Sequence, residues 1–120
     1  MPSALRCVLG SLLVACVIVA CAGEDPKQPR ICNAAAATEC PNPIPTYADV
    51  QPIIERRCVT CHSDTSTGPW PLTSYQDVAD WYDVVRDEVV RCSMPPADAA
   101  PLTSAESRAI LEWIRCGFPR

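Results

Sequence analysis

The sequence predicts an all-α fold of three or more short helices, because apolar residues recur at spacings of three and four in three separate stretches. Two of these stretches open with a threonine and carry a glutamine or glutamate three residues later, a pattern typical of a helix start. No stretch shows a convincing β-strand alternation of apolar and polar residues. At 120 residues the chain is long enough for one ordinary domain at most.

The first predicted helix runs from about Asp49 to Cys58. Asp49 can accept hydrogen bonds from the free amides of the first turn, and Pro52 falls where a proline costs no hydrogen bond. The helix would end at the first of two closely spaced cysteines. We expect three of its side chains to face the core: Val50, Ile53 and Ile54.

The second predicted helix begins with Thr73 and Gln76, and the third with Thr103 and Glu106. Gly117 lies where a glycine in the left-handed conformation would end the third helix. The apolar stripes of both helices are interpreted as core. They consist of Tyr75, Val78, Trp81, Tyr82, Val85 and Val89, and of Ala109, Ile110, Trp113 and Ile114.

An export signal is predicted at residues 1–20, where Arg6 is the only charged residue. The apolar stretch after Arg6 is shorter than the roughly 20 residues that a membrane span needs. Residues 18–21, with the sequence IVAC, resemble the lipobox of bacterial lipoproteins, in which the cysteine becomes the first mature residue and carries a lipid. We expect lipidation at Cys21 rather than at Cys16, because polar sequence follows Cys21 at once. A plain cleaved signal or an uncleaved anchor is the alternative.

Residues 21–45 are interpreted as a lipidated Pro/Ala-rich tether and residues 46–120 as the folded domain. The tether has no apolar periodicity, and Cys32 and Cys40 within it are expected to form a local disulfide. Nine cysteines in so short a chain suit an oxidising compartment.

The strongest functional signal is the segment CVTCH, which contains Cys58, Cys61 and His62. Two cysteines at this spacing can each bind one vinyl group of the same haem, and the following histidine is then placed to bind the iron. The pattern is typical of c-type haem attachment. We therefore expect one covalent haem c, held by both cysteines, with His62 as an axial ligand.

Three other interpretations of this motif are weaker. A thioredoxin-like redox pair requires a βαβ pattern, which the sequence does not show. A structural zinc site requires four ligands, usually in two paired clusters, and Cys92 and Cys116 are not paired in sequence. A plain disulfide between the two motif cysteines leaves His62 unexplained.

A second axial histidine is excluded within one molecule, because His62 is the only histidine of the chain. Met94 is the only methionine after the initiator, and Pro95 and Pro96 stiffen the loop around it. A lone methionine is ordinarily a core residue. Here the loop position favours Met94 as the sixth ligand of the iron, although that position could also be open or filled otherwise. Thioether ligation raises the reduction potential of a haem.

A disulfide between Cys92 and Cys116 would fasten the Met94 loop to the last helix and contribute on the order of 3 kcal/mol. Together with the pair Cys32–Cys40 it uses every remaining mature cysteine. The sequence alone leaves the connectivity open.

Four segments together resemble the small single-haem cytochrome c-like modules, of the class I cytochrome c type, found in bacterial envelope lipoproteins. They are PIIERRCVTCHS, PLTSY, MPP and ILEWIRCG, and the resemblance covers residues 47–118. It implies a cytochrome c-like fold, with short helices around one covalent haem whose axial ligands are His62 and Met94. The chain departs from the family pattern in having Cys92 and Cys116.

The expected function is therefore electron transfer by a carrier and not enzymatic catalysis. The alternative is a c-type haem enzyme or ligand sensor with an open sixth position, and a third class is a disulfide-stapled lipoprotein without a cofactor. We expect a redox protein as partner and a location on the periplasmic side of a bacterial envelope membrane, through the lipid anchor. A formal charge of −4 without a basic patch argues against nucleic acid.

Overall fold

The computed structural model describes residues 34–64 and 67–120. The helices of this part are α1 (Tyr47–Arg57), α2 (Tyr75–Asp80), α3 (Tyr82–Arg91) and α4 (Ser104–Arg115). No strand occurs among these residues, so the all-α prediction is confirmed for them.

The predicted export signal, the predicted lipidation site Cys21 and the cysteine Cys32 lie outside the described residues. Among the helices that are described, none has the length and apolar character needed to cross a membrane.

Helix α1 begins two residues before the predicted start, with Thr46 as its N-cap. The carboxylate of Asp49 accepts hydrogen bonds from the Thr46 amide at 2.7 Å and from the Thr46 hydroxyl at 2.8 Å. Asp49 is thus the partner within a capping box and not the cap itself. Pro52 consequently lies inside the helix and not in its first turn. The three predicted core residues of α1 are buried: Val50, Ile53 and Ile54.

The second predicted helix is in fact two helices that meet at Trp81. Trp81, with φ −108° and ψ 19°, ends α2 and precedes α3. The start of α2 is also shifted by one residue, because Ser74 is the N-cap and its hydroxyl accepts a hydrogen bond from the Asp77 amide at 3.1 Å. Asp77 returns the contact by accepting from the Ser74 amide at 3.0 Å.

The break at Trp81 also divides the predicted apolar stripe. Val78 before the break and Val89 after it are buried, whereas the aromatic rings of Trp81 and Tyr82 are exposed. The interpretation of all six residues as one core-facing stripe is therefore wrong for the two aromatic residues at the break.

Helix α4 begins and ends as predicted. The Glu106 amide donates to the Thr103 hydroxyl at 3.2 Å, and the Thr103 amide donates to the Glu106 carboxylate at 2.8 Å. Gly117 has a φ of 82°, and its amide donates to the Ile114 carbonyl at 3.1 Å. These contacts are the capping box and the glycine-terminated helix end that the sequence indicates.

The centre of the core is Trp113, which is fully buried. Its indole nitrogen donates to the Pro119 carbonyl at 2.9 Å, and the same carbonyl accepts from the Tyr47 amide at 2.8 Å. The last residues of the chain therefore fold back over α4 and meet the start of α1. The buried cluster consists of Val50, Ile53, Ile54, Leu72, Val78, Ile110, Trp113 and Ile114.

Both predicted disulfides are wrong. Cys40 pairs with Cys116 across a Cα–Cα distance of 5.2 Å, so Cys32–Cys40 and Cys92–Cys116 do not form. The pairing follows from the way the tether packs, because the Arg115 side chain donates to the Thr38 carbonyl at 3.2 Å and brings residues 38–40 beside the end of α4. Cys92 is disulfide-bonded as well, so Cys58 and Cys61 are the free thiols among the described residues.

Candidate functional site

The CVTCH segment forms a turn that continues directly from α1. The Cys58 amide donates to the Ile54 carbonyl at 2.8 Å, and the amides of Cys61 and His62 donate to the Cys58 carbonyl at 3.1 Å and 2.9 Å. Because Ile54 is buried in the core, the turn is fixed to a rigid helix end. The two cysteines and the histidine therefore occupy one compact site.

Both cysteines of this turn are free thiols and are partly buried. Burial, and then the negative charge of Glu106, raises the pKa of the Cys58 thiol to about 11. Cys58 is consequently protonated near neutral pH. Thiol–disulfide exchange requires a thiolate, so this environment disfavours the thioredoxin-like interpretation of the motif.

The imidazole of His62 is held by a backbone carbonyl. Its Nδ1 lies 2.8 Å from the Trp70 carbonyl oxygen, which can only accept a hydrogen bond. Nδ1 therefore carries the proton, and the lone pair of Nε2 is left to bind a metal. Metal-binding histidines are commonly oriented in this way by a hydrogen bond from the other ring nitrogen.

Gly68 packs directly against the same imidazole. A Cβ atom at this position would lie 2.5 Å from His62 Nδ1 and 2.9 Å from the Cys61 carbonyl oxygen. No side chain fits there without displacing the ring or the backbone. The sequence indicates only a turn at residues 68–71, and the signal that could have revealed the contact is a glycine followed by prolines shortly after a CxxCH motif.

Met94 lies in the loop that follows α3. The amides of Ser93 and Met94 donate to the Glu88 carbonyl at 3.1 Å and 3.4 Å, and Pro95 beside them is buried. The Met94 side chain itself is 42% exposed. It is thus not a core residue, and its thioether is accessible for binding.

An ion pair joins the site to the start of α4. Arg57, the last residue of α1, places its Nε 3.0 Å from a carboxylate oxygen of Glu106. Partial burial opposes ionisation of Glu106, but hydrogen bonds from Thr103 and Arg57 and the charge of Arg57 outweigh it and lower the pKa of the carboxyl. The contact connects the helix that precedes CVTCH to the helix that follows the Met94 loop.

The CVTCH motif allows two classes of cofactor, a zinc ion and a covalent haem. Cys92 and Cys116 are engaged in disulfides, so they cannot complete a zinc site with the CVTCH turn. No group of three or more His, Cys, Asp and Glu side chains within residues 34–64 and 67–120 is arranged to hold a metal ion. Two free thiols followed by a histidine with an available Nε2 fit covalent haem attachment.

Comparison of the chain with protein-family models, with curated proteins and with solved structures found no match.

Proposed function

We propose that the chain is a mono-haem c-type cytochrome of the cytochrome c-like fold that carries single electrons. The observation that supports this most is the CVTCH turn, in which two free thiols adjoin a histidine whose Nδ1 is engaged by the Trp70 carbonyl. The all-α architecture is compatible with it. The thioredoxin-like and zinc interpretations find no support in the thiol pKa or in the available ligands.

Each residue of the site has a defined role in this proposal. Cys58 and Cys61 would hold the haem through thioether bonds, and His62 would offer Nε2 to the iron. The exposed thioether of Met94 would be the second protein ligand of the iron. A bound haem supplies an iron that accepts and releases one electron.

The cellular setting belongs to the same proposal. A lipid on Cys21 anchors the protein on the periplasmic side of a bacterial envelope membrane, where it exchanges electrons with a redox partner protein. No nucleic acid is involved, since the acidic chain offers no basic patch.

The decisive experiment is expression in a bacterium that attaches haem c, followed by extraction with acidified acetone. We expect the pigment to stay with the denatured polypeptide and the intact mass to increase by one haem. Replacing Cys58 and Cys61 together by alanine should give colourless protein. The matched control replaces Cys40 and Cys116, which removes two cysteines away from the motif and should leave the pigment attached. A wild-type chain from which the pigment is fully extracted would overturn the proposal.

The exposure of Met94 also supports a second candidate function. If the thioether stays in solvent, the sixth position is open, and the protein is a ligand sensor or a haem enzyme instead of a carrier. Binding of carbon monoxide to the reduced wild-type protein distinguishes the two, because a bound thioether excludes the gas.

A further inference from the structure

We propose that Trp81 is a positioning residue for the axial histidine and acts on it through Trp70. This inference rests on the proposed haem attachment. It adds that the orientation of the His62 ring is set from the break between α2 and α3, outside the CVTCH motif.

Residues 67–72 contact His62 at three points. Gly68 packs against the ring, the Trp70 carbonyl accepts from Nδ1 at 2.8 Å, and the Leu72 amide donates to the His62 carbonyl at 2.8 Å. Leu72 is buried and fixes one end of the segment in the core. The Trp70 carbonyl lies between this fixed end and the tight contact at Gly68, so its direction depends on how Trp70 is held.

The side chain of Trp70 is held by Trp81. The two ring centroids are 4.7 Å apart and the ring planes are inclined by 32°, a geometry of favourable aromatic contact. Both indoles are exposed, at 38% and 36%, so the contact lies at the surface, outside the buried cluster. Removing the Trp81 ring should therefore free Trp70 without opening the core.

Trp81 is a rigid support because both neighbouring helices fix its backbone. Its amide donates to the Asp77 carbonyl at 3.3 Å, and its carbonyl accepts from the Val85 amide at 2.9 Å. Val78, in the same turn of α2, is fully buried and holds this junction on the core. A physical connection thus runs from the core through Trp81 and Trp70 to Nδ1 of His62.

The hydrogen bond at Nδ1 affects both the direction and the basicity of Nε2. A well-aligned acceptor fixes the ring plane and increases electron donation to a metal, which favours the oxidised state. When Trp81 is truncated, the Trp70 carbonyl gains freedom and this hydrogen bond weakens. The midpoint potential should then rise and the imidazole plane should vary in direction.

The test uses the haem-loaded full chain with Trp81→Ala, Trp81→Phe and Tyr82→Ala. In Trp81→Ala we expect the His62 Nδ1 proton of the reduced protein to exchange with solvent about threefold to tenfold faster. The spread of the haem methyl proton shifts in the oxidised protein, which reports the direction of the imidazole plane, should change, and the midpoint potential should rise. Trp81→Phe keeps an aromatic ring against Trp70 and should restore all three values.

Tyr82→Ala is the matched control. Tyr82 is as exposed as Trp81 and adjoins it in sequence, but its ring contacts Phe118 at 4.8 Å instead of Trp70. It should leave the histidine signals unchanged. If Trp81→Ala does not fold, Trp81→Leu serves the same purpose.

Unchanged methyl shifts, exchange and potential in a folded, red Trp81→Ala or Trp81→Leu protein would overturn this inference and leave the proposed function intact. A colourless wild-type protein would instead overturn the proposed function.

Discussion

The aromatic core and the ligand loops of this protein are held in different ways. The aromatic core (Tyr47, Tyr75, Trp113 and Phe118) surrounds a fully buried indole with ring contacts of 5.3 to 6.2 Å. The ligand loops, named for the haem ligands proposed above (residues 58–64, 67–72 and 92–102), depend mainly on backbone hydrogen bonds, and they carry exposed side chains such as Trp70 and Met94.

This difference means that the aromatic core mainly determines the stability of the fold, whereas the ligand loops mainly determine the properties of the site. Side chains of the aromatic core are fully buried (Trp113) or partly buried (Tyr47, Tyr75 and Phe118), so their loss removes buried area and leaves cavities. The exposed side chains of the ligand loops, such as Trp70 and Met94, bury little and can change the site at small cost to the fold. Substitutions in the aromatic core should therefore lower the free energy of unfolding, and substitutions in the ligand loops should change the absorption spectrum of the haem-loaded protein.

The largest loss of stability should come from Trp113→Ala. Truncating a fully buried indole typically costs about 3–5 kcal/mol, which a domain of this size cannot easily sustain. Denaturant unfolding of the full chain measures the loss. The stability of Trp113→Phe should lie between those of the wild type and Trp113→Ala, because phenylalanine keeps most of the packing but cannot make the hydrogen bond to Pro119. Equal stability of all three proteins would contradict the central place of this side chain.

The next largest loss should come from replacing Cys40 and Cys116 together by alanine. A bond between cysteines separated by 76 positions restricts the unfolded chain, and its removal should cost about 2–4 kcal/mol. Cleavage after Glu39 and Arg115 without reduction, followed by mass spectrometry, tests the pairing directly. We expect the fragment that starts at Cys40 to be joined to residues 116–120. A link from Cys116 to the fragment with Cys92 would instead restore the pairing that spacing suggests.

A smaller and pH-dependent effect is expected for Glu106→Gln. The folded state lowers the pKa of Glu106, so this carboxylate stabilises the protein above its ordinary pKa of 4.5, and the contribution is lost as the pH falls towards the folded value. Glutamine can keep the capping contact but not the charge.

Unfolding measured between about pH 3 and pH 7 should show a loss of about 1 kcal/mol at the upper end that fades in acid. Arg57→Gln removes the same ion pair from the other side and should show the same trend. A pH-independent difference in both variants would show that the charge of Glu106 is not involved.

The smallest effect on stability and the clearest effect on the spectrum are expected for Met94→Ala. With 42% of the residue exposed, its side chain buries little area against the rest of the protein, and the lost packing should lower the free energy of unfolding by about 1 kcal/mol or less. Loss of a thioether ligand should remove the weak red absorption band of the oxidised protein, lower the midpoint potential and admit carbon monoxide. An unchanged spectrum and potential would favour the open-site alternative.

The helix caps show which helix ends can be predicted from local sequence. The Thr103–Glu106 box and Gly117 are correct because each acts within one helical turn. The start of α2 is misplaced by one residue, since Thr73 and Ser74 both precede acceptors at suitable spacing and Asp77 binds both. Local patterns thus identify a helix end but do not choose between adjacent capping residues.

The contacts that the sequence does not reveal are those that depend on tertiary packing. The apolar periodicity of residues 75–89 does not distinguish one helix from two. The break at Trp81 leaves Trp81 and Tyr82 exposed, although the sequence pattern places both in the core. The Cys40–Cys116 pair likewise depends on the tether lying against the end of α4. By contrast, CVTCH is compact in sequence and in space, and for this reason its three residues could be grouped from the sequence alone.

The Cys40–Cys116 bond also determines where a mechanical load enters the domain. Tension applied at residues 34–39, directly before Cys40, passes through the disulfide into the end of α4, whose side chains are embedded in the aromatic core. Helix α1 and the CVTCH turn lie within the closed loop and bear none of it directly. A pull on residues 34–39 therefore reaches the domain at the end of α4 and not through α1, which carries the turn around His62.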